Sequence, residues 1–411
     1  MIRRVRKLVS LILRRTLITL IGWLFFIPLA YLIPQKKKSV VIFGREKFVD
    51  NLKYFFLYLC GLGTDEVKVS MLLKDKHTYQ ILKAKGLPVL FYPTPKSILE
   101  TMRASMVIDA GTSLSGLGYY FSYRACTVML WHGAGMKLTR KTDKIMGQSR
   151  LLNALYNIFR VQLPYDIFIS TSAFYTEHVF SKNNKRAKIF RSQEILESGY
   201  PRNDCFFREI GPLELIGSDA EILQKAKDAR ADGCKIILYA PTFRDSGGDA
   251  IADGALDVKA LSAFGQQHKY IFIFKHHPGV RNAAVVNELD FVWEYDRHSD
   301  VYPLMPYVDL LITDYSSIFT DFLLLDRPTV FFPYDYKKYT QKDRDIRFDY
   351  DWFTPGPKCY NQSELQETIC QFLVKGEDAY RLKRREILDI AFDYKGGESS
   401  KLLWNLLKEK I

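Results

Sequence analysis

Two histidines and a pair of serines give this chain the means to move a phosphoryl group. His132, in Trp131-His132-Gly133, ends an apolar run. An imidazole titrates near pH 6.5 when unperturbed, which suits a general base at neutral pH, and Gly133 lets a backbone come close to a ligand. His277 ends a second apolar run in Lys275-His276-His277-Pro278, where it could hydrogen-bond a phosphate or protonate a leaving group. Spacing does not separate its role from that of His276. Asp314-Tyr315-Ser316-Ser317 lies between a strand-like run and an apolar segment of helical length. That order sets two hydroxyls and free backbone N–H groups at a helix N-terminus, a natural phosphate site. Asp314 itself could accept from a ligand hydroxyl or cap the helix. Lys275 and Arg244 are the counter-charges expected for phosphate oxygens, Arg244 being able to bind bidentately. Arg244 belongs to a cluster with Thr242, Ala240 to Asp245. Arg202 and Asn203, in Gly199-Tyr200-Pro201-Arg202-Asn203-Asp204, could clamp a ligand or pin a hinge.

Chemistry of this kind needs strands to deliver each cluster to one edge of a sheet. Apolar runs at Ser39–Gly44, 67–73, 89–92, 106–109, 127–131 and 167–170 predict one series of strands. A second series falls at 235–239, 270–275, 291–293, 310–313 and 329–332. Continuous apolar runs, rather than strict alternation, are the mark of parallel strands covered on both faces. Two Rossmann-like domains facing one another are therefore expected: 39–205 and 206–375. Residues 376–411 are expected as helices packing back on them, the last capped by Glu398-Ser399-Ser400. At 411 residues the chain is too long for one hydrophobic core.

The net charge of +13 is concentrated, since residues 1–38 carry nine basic side chains and no acidic one. That concentration argues against nucleic-acid binding. Between the basic groups runs the uncharged stretch Leu17–Ile33, LITLIGWLFFIPLAYLI. As a helix it reaches about 25 Å, short of a roughly 30 Å hydrocarbon core, and Pro28 is expected to kink it. Residues 1–38 are thus expected to form a membrane anchor, re-entrant or interfacial rather than spanning, drawn to an anionic leaflet. Six cysteines without CxxC spacing argue against zinc and a disulfide framework, and suit a reducing cytosol. Asp343-Arg344-Asp345 and Asp349-Tyr350-Asp351 look like DxD metal motifs but lie in a polar loop beyond the last strand, so no metal site is assigned.

In order, Asp50-Asn51, WHGAGMK at 131–137, GYPRND at 199–204, APTFRD at 240–245, KHHP at 275–278 and TDYSSIFTDFLLLDRP at 313–328 resemble the CDP-glycerol glycerophosphotransferase family of teichoic acid synthesis. The resemblance covers most of the chain after residue 39. It implies a GT-B-like α/β fold and attachment to the cytoplasmic side of the cell membrane. It also implies transfer of glycerol phosphate from CDP-glycerol to a polyprenyl-linked or glycan acceptor, with release of CMP. CDP-ribitol is the variant donor. His132 is similar to the family's proposed base and His277 to the histidine assigned to the leaving phosphate. Arg202, Arg244, Ser316 and Ser317 fall at donor-phosphate positions, and Lys137 joins the substrate-binding set. Two departures, Ala134-Gly135 where Thr-Pro is common and Asp345-Ile346-Arg347 where a glycine is usual, bear on the acceptor more than on the donor. A nucleotide-sugar glycosyltransferase and a non-catalytic nucleotide-binding scaffold are the competing readings.

Overall fold

The computed structural model of the chain describes residues 10, 13–14, 16–44, 47–111, 117–133, 135–136, 165–180, 194–279 and 289–411. It divides into two compact units. The first comprises Met1–His132, Thr139–Asp204 and Glu398–Ile411, and the second Gly133–Leu138 and Cys205–Gly397.

The first unit is built on seven parallel strands: β1 (Ser39–Phe43), β2 (Lys68–Leu73), β3 (Val89–Phe91), β4 (Met106–Asp109), β5 (Cys126–Met129), β6 (Ile167–Ser170) and β7 (Glu194–Glu197). Their order is β3-β2-β1-β4-β5-β6-β7. β1 and β4 are buried along their whole length, which is why their sequences, SVVIF and MVID, show no polar alternation. Strand order reverses at the β1–β4 pair, and ligands of such sheets bind beyond the carboxyl ends of the strands there. After β1 the chain enters α1, Asp50–Gly61. β7 was not expected from the sequence. Its run, EILE, is only half-buried along an edge, so charged residues replace the apolar signal.

The second unit holds β8 (Lys235–Tyr239), β9 (Tyr270–Phe274), β10 (Val292–Glu294), β11 (Leu310–Thr313) and β12 (Thr329–Phe331). They are again all parallel, in the order β10-β9-β8-β11-β12. Ile237, Phe272, Leu310 and Val330 are fully buried in its core. The reversal here falls between β8 and β11, whose carboxyl ends carry the Ala240–Asp245 and Asp314–Ser317 clusters.

Among the described residues, no helix is long and apolar enough to cross a membrane. The stretch expected to act as an anchor is helical but interrupted, with a π turn at Gly22–Phe26 running into a short helix at Ile27–Leu32. The wide turn directly precedes Pro28, which has no N–H to offer the preceding turn. One side of this segment packs on the first unit. Phe26 meets Phe121 edge-on at 4.7 Å, and Arg124 Nη1 donates to the carbonyls of Ala30 and Ile33 at 2.8 and 2.9 Å. A Cβ at Gly22 would lie 2.4 Å from the Tyr120 ring, so only glycine fits that contact. Leu17, Leu20, Leu24, Phe25, Leu29 and Leu32 remain exposed.

The final helix, α2 (Ser399–Lys408), belongs to the first unit and buries Leu403, Trp404 and Leu407. Its cap differs from the one expected. Glu398 makes no side-chain cap bond, and the buried Asp204 instead accepts the N–H groups of Ser399 and Ser400 at 2.7 and 2.8 Å. Gly397, just before it, has φ +75°, and a Cβ there would lie 2.6 Å from Cβ of Phe207.

Candidate active site

In the first unit the strand-end cluster forms around His132. β5 ends at Met129, and the chain then turns through Trp131 at φ +58°, a left-handed conformation that is unusual for a bulky side chain. His132 follows with an exposed side chain, its ring 4.1 Å from that of Trp131 between centroids, and Gly133 is buried. Two side chains hold this turn, and a third is paired with one of them. Asn51 Nδ2 donates to the Trp131 carbonyl at 3.2 Å, and Arg202 Nη1 donates to the His132 carbonyl at 3.0 Å. The same Arg202 nitrogen makes an ion pair with Asp50 Oδ1 at 2.6 Å, and the Arg202 N–H donates to Asn51 Oδ1 at 3.3 Å. The side chain of Arg202 is 3% exposed and lies over the Tyr200 ring. The family resemblance sets Arg202 at a donor-phosphate position; in the structure its guanidinium pairs with the Asp50 carboxylate. Asn203 is also buried, in the 3₁₀ turn Pro201–Phe206. Lys137 lies outside the described residues.

In the second unit the clusters after β8, β11 and β12 are tied together by Arg244. Its Nη1 donates to Asp314 Oδ2 at 2.7 Å and to the Thr242 carbonyl at 2.6 Å. Its Nε and Nη2 take both oxygens of Asp335 at 2.8 Å. The rings of Tyr315, Tyr334 and Tyr339 surround the guanidinium at 5.1, 5.6 and 5.1 Å. Burial works against its charge, but the two carboxylates outweigh that effect and hold it above its ordinary pKa. Arg244 is therefore buried and doubly paired in this structure. Asp314 likewise has its oxygens engaged, accepting from the N–H groups of Thr242 and Tyr315 as well as from Arg244. It does not cap the helix that follows. Ile318 N–H instead approaches Ser316 Oγ at 3.4 Å, and Ser316 and Ser317 are half-buried at the start of the five-residue helix Ile318–Phe322. Asp335 and the tyrosines went unassigned in the sequence. Asp335 carried one usable signal, a carboxylate just past the end of a strand.

The two adjacent histidines after β9 separate clearly. His276 is buried, and neither ring nitrogen has a hydrogen-bond partner among the described residues. Burial lowers its pKa and keeps it neutral. His277 is exposed, stacks on Phe243 at 5.6 Å and accepts the Gly279 N–H at Nδ1 over 3.0 Å. An acceptor at Nδ1 puts the proton of the neutral ring on Nε2. Lys275 Nζ donates to the Arg297 carbonyl at 2.8 Å, and burial pushes its pKa down to about 8. No group of three His, Cys, Asp or Glu among the described residues could hold a metal ion. Asp343 of the first DxD-like run accepts from Ser246 N–H and Oγ, and Asp349 of the second caps the turn at Trp352.

Comparison with known proteins supplies the remaining constraint. Residues 25–409 match the family described as CDP-Glycerol:Poly(glycerophosphate) glycerophosphotransferase. A teichoic acid glycerol-phosphate transferase of Staphylococcus aureus is 28% identical over 339 residues, 80% of this chain and 82% of that protein. A teichoic acid ribitol-phosphate primase of Bacillus spizizenii is 31% identical over 344 residues, 80% of this chain and 81% of the relative. The chain also matches a teichoic acid poly(glycerol phosphate) polymerase of the same organism at 32%, spanning 60% of its length. The structure of the wall teichoic acid polymerase TagF superposes with a TM-score of 0.70 at 23% identity, covering 99% of this chain and 96% of that one. At that identity the likeness speaks for the fold.

Proposed function

The chain belongs to the CDP-glycerol:poly(glycerophosphate) glycerophosphotransferase family, and from that premise we propose a course for its reaction. It is a CDP-glycerol glycerophosphotransferase of teichoic acid synthesis. An acceptor hydroxyl attacks the phosphorus that bears glycerol. A new oxygen–phosphorus bond forms, the bond to the CMP oxygen breaks, and CMP departs. His132 takes the hydroxyl proton. His277, through Nε2–H, and the Lys275 ammonium meet charge on the departing phosphate, and Ser316 and Ser317 offer hydroxyls to it. Thr242, Asp314 and Arg244 keep the strand-end loops in place, and Arg202 and Asn203 do so in the first unit. The observation that carries this reading is the pair of exposed imidazoles, His132 and His277. Each stands just past the carboxyl end of a parallel strand; the His132 carbonyl accepts from Arg202 Nη1, and His277 Nδ1 accepts the Gly279 N–H.

The acceptor is read as lipid-linked, and the apolar face of residues 17–32 as lying in the headgroup layer of the cytoplasmic leaflet. Its exposed leucines and Phe25, flanked by basic residues, fit an interfacial segment. The ribitol-phosphate primase among the relatives supports CDP-ribitol as a second donor. Incubating the purified protein and membranes with CDP-glycerol, CDP-ribitol and a panel of nucleotide sugars tests the whole reading. CMP release from CDP-glycerol is expected. Release of UDP or GDP without CMP would make the protein a glycosyltransferase, and no release from any donor would make it a scaffold.

A further inference from the structure

We infer that Asp50, Asn51 and Arg202 are positioning residues that set the angle at which the His132 imidazole meets the acceptor hydroxyl. The inference rests on the reading of His132 as the base. Its starting point is the backbone. Trp131 and Asp50 both adopt left-handed conformations, at φ +58° and +66°. Such conformations are disfavoured outside glycine and persist only where the surroundings impose them. Nothing in the run Leu130-Trp131-His132 favours one locally. What imposes it is contact with two segments distant in sequence. Asn51 holds the carbonyl on one side of the His132 N–H and Arg202 holds the His132 carbonyl itself. The two holders are joined through Asn51 Oδ1 and through Asp50, whose Oδ1 also accepts the Asn51 N–H at 2.8 Å.

The result is an exposed imidazole on a backbone fixed at two successive carbonyls. Asn51 is fully buried and Arg202 nearly so, so neither presents itself to a ligand. A base abstracts a proton efficiently only within a narrow range of distance and direction. Releasing either carbonyl lets the turn relax toward an ordinary right-handed or extended conformation and swings the ring away.

The test is a set of double-mutant cycles with CDP-glycerol as donor, recording kcat, donor KM and melting temperature. Asp50→Asn keeps a residue that tolerates positive φ but removes the charge that orients Arg202. Asn51→Asp keeps the shape but cannot donate to Trp131, and Arg202→Lys shortens the reach. Each is expected to lower kcat by about 10–100-fold with donor KM within twofold. On a His132→Ala background each should add almost nothing, because the group being aimed is gone. Multiplicative losses on that background, or losses confined to donor KM, overturn the inference. So do variants that melt lower yet turn over at the parent rate. His132→Ala without any effect on turnover would instead remove the base reading. Should Arg202→Lys fail to fold, the Asp50 and Asn51 variants still decide the matter.

Discussion

Replacing Arg244 by methionine leaves Asp314 and Asp335 buried without their cation. The side chains of all three are no more than 5% exposed, and the charged contacts lie at 2.7 to 2.8 Å. Breaking a buried pair from one side costs about 3–5 kcal/mol, because the orphaned charge stays in the interior. Two carboxylates are orphaned here, and three tyrosine rings lose a cation at 5.1 to 5.6 Å, each worth about 0.5–2 kcal/mol. About 5 kcal/mol is therefore expected. For a unit of this size each kcal/mol shifts the melting temperature by roughly 2–4 °C, so the second unit should melt roughly 10–20 °C lower. Differential scanning calorimetry of the whole chain reads this directly. The triple variant Arg244→Met, Asp314→Asn, Asp335→Asn removes the charges together and should recover much of the loss, as replaced buried ion triads do. A single Arg244→Met variant that melts within about 3 °C of the parent and loses donor affinity instead would refute the reasoning. It would return Arg244 to the phosphate role expected from sequence.

Other perturbations test other parts of the molecule. His132→Ala should lower kcat by about 10²–10⁴-fold in a folded protein, as loss of a general base does, measured by CMP release. Lys275 has a folded pKa of about 8 against an ordinary 10.5. Between those values the unfolded chain holds a proton that the folded chain has released, so stability rises with pH across that window. Urea titrations at several pH values should show the rise, and Lys275→Met should abolish it. In the enzyme, kcat/KM for the donor should fall as pH climbs through about 8, and Lys275→Arg should flatten the fall. A Leu24→Glu, Phe25→Glu pair, placed on the exposed face, should shift the protein from sedimenting vesicles of anionic lipid to the supernatant while leaving its melting unchanged. Asp204→Ala should destabilise the first unit by about 1–2 kcal/mol through two uncapped N–H groups at the last helix, visible as a lowered calorimetric transition.

How far the sequence could be read depended on how local each determinant was. Parallel strands wrapped on both faces announce themselves as apolar runs, and eleven of them were placed within two residues from the run alone. β7 escaped because an edge strand needs no such run. The motif histidines were identifiable by type and position, yet which of His276 and His277 turns inward depends on the packing around β9. The partners of the arginines are just as remote: a guanidinium beside a strand end suits a phosphate, and only the fold shows that Asp50, Asp314 and Asp335, up to 152 residues away, lie against it. The cap of the last helix is not legible locally, because its acceptor, Asp204, lies 195 positions earlier.

That distance matters for the order in which the protein is made. Residues 399–408 leave the ribosome after every residue of the second unit, yet Leu403, Trp404 and Leu407 complete the interior of the first. Domains usually close in the order they are synthesised. Here the earlier one waits, with the groove that takes its final helix open and apolar, until the later one has emerged. A growing chain in that state is a natural client for chaperones, and stalling translation before Gly397 should leave the amino-terminal half protease-sensitive even when the other half resists.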